Sequence, residues 1–516
     1  MRRKVVYEMR PRVELGAGVD ARRGVVRRVD RPTFVSADVL KFDTTSLTLE
    51  GLCRGVAMNF LGISDRDLSQ AADDAIGLAK SYWATLEGRP SYPSTSGQQT
   101  TELFSRPWPE TGRGQDVLRD FTLIAEHARP STGRFFGYVV GSGEPIGALG
   151  EFLAAVLNQN VTSWRSAPAA AAVEQTVVRW LAEAIGCAEF TGSLCGGGSA
   201  ANLMALAMAR EAKSPANDTG ARPCVVYASE QVHMSIPKAV ALLGIGRNNL
   251  RLIPVDDQFR MRPDALQAAI AGDREAGNNP IAIVATVGTI VSGAIDPLHE
   301  ISDVARSEEL WLHIDGAYGA LAALALPEKL QGLALADSLA LDAHKWLYQP
   351  IDCGCLLHRH PGIARTTFSH SDDYVRTMSE DPIEAFAFFE ESVELSRRFR
   401  ALKLWMSLQY HGRRAFREAI AQDLRHAQLL GERVRSHPEL ELLAPVPLSA
   451  VCFRHRTKDN QALLRRLTAR GRVYLSNATV RGQFALRACF VNHRTTEEDV
   501  HAIVSEAVAA ADELNG

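Results

Sequence analysis

Asp337-Ser-Leu-Ala-Leu-Asp342-Ala-His344-Lys345-Trp346 is the stretch on which the reading of this chain turns. Residues 339–341 are continuously apolar, and short apolar runs separated by helix-sized segments are what parallel strands covered on both faces look like. Lys345 then falls in the turn past the carboxyl end of a strand, where open α/β sheets bind their ligands. An amine in that place is a candidate Schiff-base nucleophile, although a lysine after a strand, taken alone, reads as a solvated surface group. One crossover upstream, Trp311-Leu-His313-Ile-Asp315-Gly316-Ala317-Tyr318 puts an acid after a second apolar strand. Asp315 and Lys345 are therefore expected at the same edge of neighbouring strands.

An amine and an acid at one crevice suit pyridoxal phosphate: the amine condenses with its aldehyde, and the carboxylate keeps the pyridine nitrogen protonated so that the ring can accept electrons. The plain alternative is a structural ion pair. Further upstream, Thr191-Gly-Ser-Leu-Cys-Gly-Gly-Gly198-Ser199-Ala200-Ala-Asn202 leads into a helical pattern. Glycines at a helix start let backbone N–H groups approach an anion, and the helix dipole favours its charge. The loop matches neither the Walker nor the dinucleotide pattern, which points to a mononucleotide-sized phosphate. Between these segments, Tyr227-Ala-Ser-Glu-Gln-Val-His233 places an imidazole just past another strand, where it could stack on a flat ring and pass protons.

Working outward, apolar runs at 225–227, 281–287, 310–314 and 339–341 alternate with helical patterns between about 130 and 400, which predicts an α/β layer domain with a mostly parallel sheet. A helical stripe at 65–83, interrupted by Pro90, Pro93 and Gly97, predicts a helical arm over 61–130. A helical pattern at 395–408 leads into alternating runs at 448–453 and 485–490, with helices near 460–470 and 497–514. That tail predicts a smaller α+β lobe over 401–516. Residues 1–60 form a basic opening with no assigned role. At 516 residues with 46% hydrophobic and 23% charged residues and a net charge of −3, the chain fits a folded globular protein rather than a polyanion binder, so nucleic acid is not the expected partner. The sequence has no run of about 18 apolar residues, which leaves no expected membrane span and suggests the cytoplasm. The eight cysteines lack paired Cys-x2-Cys spacing, and no metal site is expected.

The chain resembles the pyridoxal-phosphate-dependent group II amino-acid decarboxylases, which include the aromatic-amino-acid and glutamate decarboxylases. The resemblance runs from about 65 to 514. It rests on Arg134-Phe-Phe-Gly-Tyr138, Asn158-Gln-Asn160, Ser166-Ala-Pro-Ala-Ala170, the glycine loop, Glu230-Gln-Val-His233, Gly293-Ala-Ile-Asp-Pro297, His313-Ile-Asp-Gly-Ala317, Asp342-Ala-His-Lys-Trp346, Arg397-Arg-Phe-Arg400 and Leu486-Arg487. It implies fold type I (the aspartate-aminotransferase-like fold), a large cofactor domain over 131–400, and a homodimer with sites at the subunit interface, the arm clasping the partner. It further implies Lys345 as the lysine bound to the cofactor aldehyde, Asp315 as partner of the pyridine nitrogen and His233 stacked on the ring. Gly198, Ser199 and Ala200 would hold the phosphate, with Thr289, Ala317, Asp342 and His344 lining the cofactor. Tyr374 matches a loop tyrosine that protonates the substrate carbon after carbon dioxide leaves.

Two departures stand out. Gly288-Thr289-Ile290 lacks the second threonine common in the family, so a hydroxyl expected near His233 is absent. Tyr138 is followed by Val139-Val140-Gly141 where animal aromatic decarboxylases carry a bulky aromatic and a proline, so the pocket's shape is not inherited. The resemblance implies decarboxylation of an L-amino acid, with an aromatic substrate favoured. Oxidative decarboxylation to an aldehyde and an acidic or specialised substrate are the alternatives, and aminotransfer, with Arg487 as a carboxylate clamp, is a weaker one.

Overall fold

Seven segments assemble into the larger sheet: β1 (Thr191–Cys195), β2 (Val225–Ser229), β3 (Leu250–Ile253), β4 (Pro280–Thr286), β5 (Trp311–Asp315), β6 (Ser338–Asp342) and β7 (Gly354–His358). A computed structural model describes residues 61–370 and 381–514, and all that follows concerns the unit from Ser64 onward. The strand order is β1-β7-β6-β5-β4-β2-β3. β2 through β6 pair in parallel, whereas β7 runs antiparallel to both β6 and β1, so every strand except β7 points the same way. The carboxyl ends of β1, β2, β5 and β6 therefore open onto one edge.

The reason these segments are strands is burial on both faces. Every residue of β2, β4, β5, β6 and β7 is buried, and each Ile, Val or Leu so covered is worth about 1.5–3 kcal/mol, well above the spread of strand propensity. The link from β5 to β6 differs from the expected helical crossover. It is made of 3₁₀ turns, Ala320–Leu324 and Pro327–Leu335, packed into the core through Leu321, Leu324, Leu330 and Leu333.

The second sheet is four-stranded and antiparallel, in the order β10-β11-β9-β8, from β8 (Leu440–Leu442), β9 (Ala450–His455), β10 (Ser476–Val480) and β11 (Gln483–Cys489). Helices Asn460–Arg470 and Glu497–Asp512 supply Leu463, Leu467, Val500 and Ile503 to its apolar face. The long helix preceding it starts at Ala401 rather than at 395. Arg397 accounts for the delay: its guanidinium is buried against Glu174 and donates to the carbonyls of Val161 and Leu194, and its backbone N–H donates to Asn160 Oδ1 at 2.8 Å instead of to a helical carbonyl. Helix Asp65–Thr85 forms where the stripe predicts it but carries no buried residue. The basic opening lies outside the described residues.

Candidate active site

At the shared edge, the glycine loop after β1 swings across the start of β7. It can do so because Gly354 and Gly197 are in near contact: a Cβ on Gly354 would lie 2.3 Å from the Gly197 Cα. Gly197, at φ +112°, caps helix Gly198–Lys213, and a Cβ on Gly198 would meet the Ala317 Cβ at 2.7 Å and Asp342 Oδ2 at 3.1 Å. Glycine at these positions is thus a packing requirement as well as a conformational one. Ser199 is exposed at the first turn of the helix, and Ala200 follows half-buried, its N–H donating to the Gly197 carbonyl at 2.9 Å.

Asp342 closes β6, and a one-turn helix, Ala343–Trp346, carries His344 and Lys345 back over it. Lys345 Nζ lies 2.9 Å from Asp342 Oδ2, and His344 Nε2 lies 3.7 Å from the same oxygen. Asp342 Oδ1 is buried and makes no hydrogen bond among the described residues. Burial lowers the pKa of His344, whose Nδ1 accepts from the Cys353 N–H at 3.2 Å. The segment 138–144 lies alongside: Gly141 N donates to the His344 carbonyl at 3.0 Å, and a Cβ on Gly141 would come within 2.4 Å of that oxygen.

One strand over, Asp315 is 4% exposed and both its oxygens are held, Oδ2 by Asn202 Nδ2 at 2.9 Å and Oδ1 by the Ala317 N–H at 3.2 Å. His233 sits between β2 and helix Ser235–Leu242, half-buried, with Nδ1 2.8 Å from Ser235 Oγ. Burial lowers its pKa, while the charge of Asp315 acts in the opposite direction. Thr289 is buried in the turn after β4, and its hydroxyl is spent there, 3.0 Å from Ser292 Oγ and accepting from Ala294 N at 3.0 Å. Arg487 is buried and donates to the Tyr138 carbonyl at 3.1 Å, with no ion pair among the described residues. Tyr374 lies outside the described residues.

The sequence pairing of an acid and an amine on adjacent strand ends is therefore realised, and residues 107–456 match the model of the pyridoxal-dependent decarboxylase conserved domain. The chain belongs to this family. Among relatives of the decarboxylase, an aromatic-L-amino-acid decarboxylase of Bacillus atrophaeus is 32% identical over 88% of this chain and 98% of that one. A 4-hydroxyphenylacetaldehyde synthase of Rhodiola rosea is 31% identical over 84% of this chain and 92% of its own. A structure of Oryza sativa TDC with PLP and tryptamine superposes with a TM-score of 0.82, at 27% identity, covering 88% of this chain and 99% of that one. The decarboxylase is thus a carboxy-lyase of fold type I that uses pyridoxal 5'-phosphate.

The residues present fit that cofactor. The glycine cradle has no room for a Cβ, the anchored Asp315 carboxylate is an acceptor suited to a protonated ring nitrogen, and the other oxygen of the Asp342 carboxylate whose Oδ1 is unpartnered holds Lys345 at 2.9 Å. Asn202, Ser235 and His313 were not singled out by sequence reasoning. The available signals were positional: Asn202 is four residues past Gly198 on the same helical face, and His313 is two before Asp315 on the same strand face.

Proposed function

We propose that the decarboxylase converts an aromatic L-amino acid to the corresponding amine and carbon dioxide. The observation that carries this reading is the placement of Lys345 and Asp315 on neighbouring strand ends; relatives named for aromatic amino acids support the substrate class. Pyridoxal phosphate, when bound, supplies an aldehyde for the substrate amine and a protonated ring that accepts the electron pair released with carbon dioxide. Lys345 would hold the cofactor through its side-chain nitrogen, and Asp342, 2.9 Å away, would hold that nitrogen as an ammonium whenever it is free. Asp315 holds the proton at the ring nitrogen, acting where negative charge develops in a partly dry site, which makes it the largest electrostatic contribution of the protein. His233 would lie against the ring, and the first turn of helix Gly198–Lys213, with Ser199 and Ala200, would hold the phosphate. Tyr374 delivers a proton to the substrate Cα.

The same reading includes a homodimer. Leu68 on helix Asp65–Thr85 and Phe152, Leu153, Val156 and Leu157 on helix Pro145–Leu157 are exposed apolar side chains suited to a second copy, with 61–130 as the clasp. It also places the reaction in the cytoplasm, which subcellular fractionation tests.

Incubation of the purified, cofactor-loaded homodimer with tyrosine, tryptophan, phenylalanine, dihydroxyphenylalanine and the acidic amino acids decides the matter. The expected products are carbon dioxide and an aromatic amine. Aldehyde, ammonia and hydrogen peroxide would replace this reading with that of the aldehyde-forming relative, and turnover of only an acidic substrate would overturn the substrate class.

A further inference from the structure

Behind Asp315, a row of buried polar side chains joins four elements. Asn202 is fully buried, and its Nδ2 lies 2.9 Å from Asp315 Oδ2 and 2.9 Å from Ser235 Oγ. Its Oδ1 is 2.8 Å from His313 Nε2. His313 Nδ1 is 2.9 Å from Ser338 Oγ, which in turn accepts from Trp311 Nε1 at 2.9 Å. At the other end, Ser235 Oγ reaches His233 Nδ1 at 2.8 Å.

Chemistry fixes the direction of every bond in this row. An ionised Asp315 only accepts, so Asn202 must turn its NH2 toward it, and the second hydrogen of that nitrogen goes to Ser235 Oγ. The amide oxygen is left facing His313, which must donate from Nε2. Burial keeps His313 neutral, with a pKa of about 4, so a ring with its hydrogen on Nε2 has a bare Nδ1 that accepts from the Ser338 hydroxyl. The reverse arrangement, with His313 Nδ1 donating to the Ser338 carbonyl at 3.2 Å, would set the Asn202 oxygen against the Asp315 carboxylate. At His233, the Ser235 backbone N–H also points at Nδ1 at 3.3 Å, so Nδ1 is an acceptor and the ring hydrogen sits on Nε2. Donors thus run one way, from Trp311 to both Asp315 and His233.

We propose that Asn202 is a positioning residue of this site: one side-chain amide fixes the Asp315 carboxylate and, through Ser235, holds His233 in its Nε2–H form. The proposal rests on the roles given above to Asp315 and His233. The charged groups facing His233 are Asp315, Lys345, Asp342 and Lys238, so its tautomer is set among competing charges, and the Ser235 contact decides which nitrogen is bare. The Thr289 hydroxyl is committed elsewhere and Ile290 offers none, which leaves that task to Ser235.

The test compares Asn202→Leu, Asn202→Ala, Ser235→Ala and Asp315→Ala as cofactor-loaded full-length proteins. Two readouts are taken: the pH midpoint of the visible absorption band, and the dissociation constant for pyridoxal phosphate from tryptophan fluorescence. Both Asn202 variants are expected to shift the midpoint in the same direction as Asp315→Ala and to weaken cofactor binding roughly 10- to 100-fold, the effect of losing a hydrogen bond to a charged group. Ser235→Ala is expected to leave the midpoint in place and to weaken binding by about fivefold. Wild-type midpoints in Asn202→Leu and Asn202→Ala, beside a shifted Asp315→Ala, overturn the role of Asn202 while leaving that of Asp315 intact. An unshifted Asp315→Ala removes both. Should Asn202→Leu fail to fold, Asn202→Ala, which loses the donor without adding charge or bulk, decides alone.

Discussion

Asp315 and Asp342 end adjacent parallel strands and are buried to a similar degree, yet their surroundings are built differently. Both oxygens of Asp315 have donors from fixed groups, a buried amide and a backbone N–H. Asp342 has one oxygen on Lys345, a flexible partner, and one with no hydrogen bond among the described residues. A buried acceptor left without a partner costs about 1–3 kcal/mol, which the rest of the fold must absorb. The difference follows from what each carboxylate does in the proposed cycle. The partner of Asp315 stays in place throughout, so its wall can be sealed. Lys345 must leave and return, so the wall around Asp342 has to tolerate a change of partner.

The contrast can be broken most readily by exchanging charge on each side. Asp315→Asn is expected to lower decarboxylation about 10³-fold with the circular dichroism unchanged, as expected for loss of a preorganised charge opposite the reacting system. Next in size, Tyr374→Phe is expected to turn the product from amine toward aldehyde, ammonia and peroxide, seen by product analysis, while cofactor content stays constant. Asp342→Asn keeps the shape of the mobile side and is expected to cost about tenfold in kcat. Equal losses in Asp315→Asn and Asp342→Asn would erase the distinction between the two walls.

The smallest effects concern stability and carry opposite signs. Behind Asp315, burial lowers the His313 pKa to about 4, so the native state binds fewer protons than the unfolded chain between there and the ordinary histidine value. Stability is therefore lost as pH falls from about 6.5 toward 4. Beneath Lys345, Tyr348 donates to Asp423 at 2.8 Å, and burial raises that carboxyl to about 7. Here the native state binds more protons, so stability is lost as pH rises from about 4 through 7. Asp423→Asn, which still accepts from Tyr348, is expected to gain in Tm relative to the parent between pH 5 and 8, by on the order of a degree or two for a chain of this size. A Tm difference that stays flat over that range would contradict the assignment.

Much of the fold was legible because the central strands are apolar throughout and their spacing leaves room for one crossover each. The reversed direction of β7 was not: antiparallel and parallel strands buried on both faces read alike in sequence. The start of the long helix was displaced because a buried Arg397 overrode a good helical pattern, a tertiary effect that local periodicity does not contain. At the site, Lys345, Asp315, His233 and the glycine loop were readable because each follows a strand. Asn202 was not, since its partners His313 and Asp315 lie 111 and 113 residues away and only the packing of helix Gly198–Lys213 beneath β5 brings them within reach.

The central claim is that Lys345 is the residue to which the cofactor is covalently joined. Borohydride reduction of the cofactor-loaded protein, followed by peptide mass mapping, tests it directly. One cofactor-sized increment is expected, on the peptide containing Lys345, and none in Lys345→Ala. An increment on another lysine, or none in the parent protein, would contradict it.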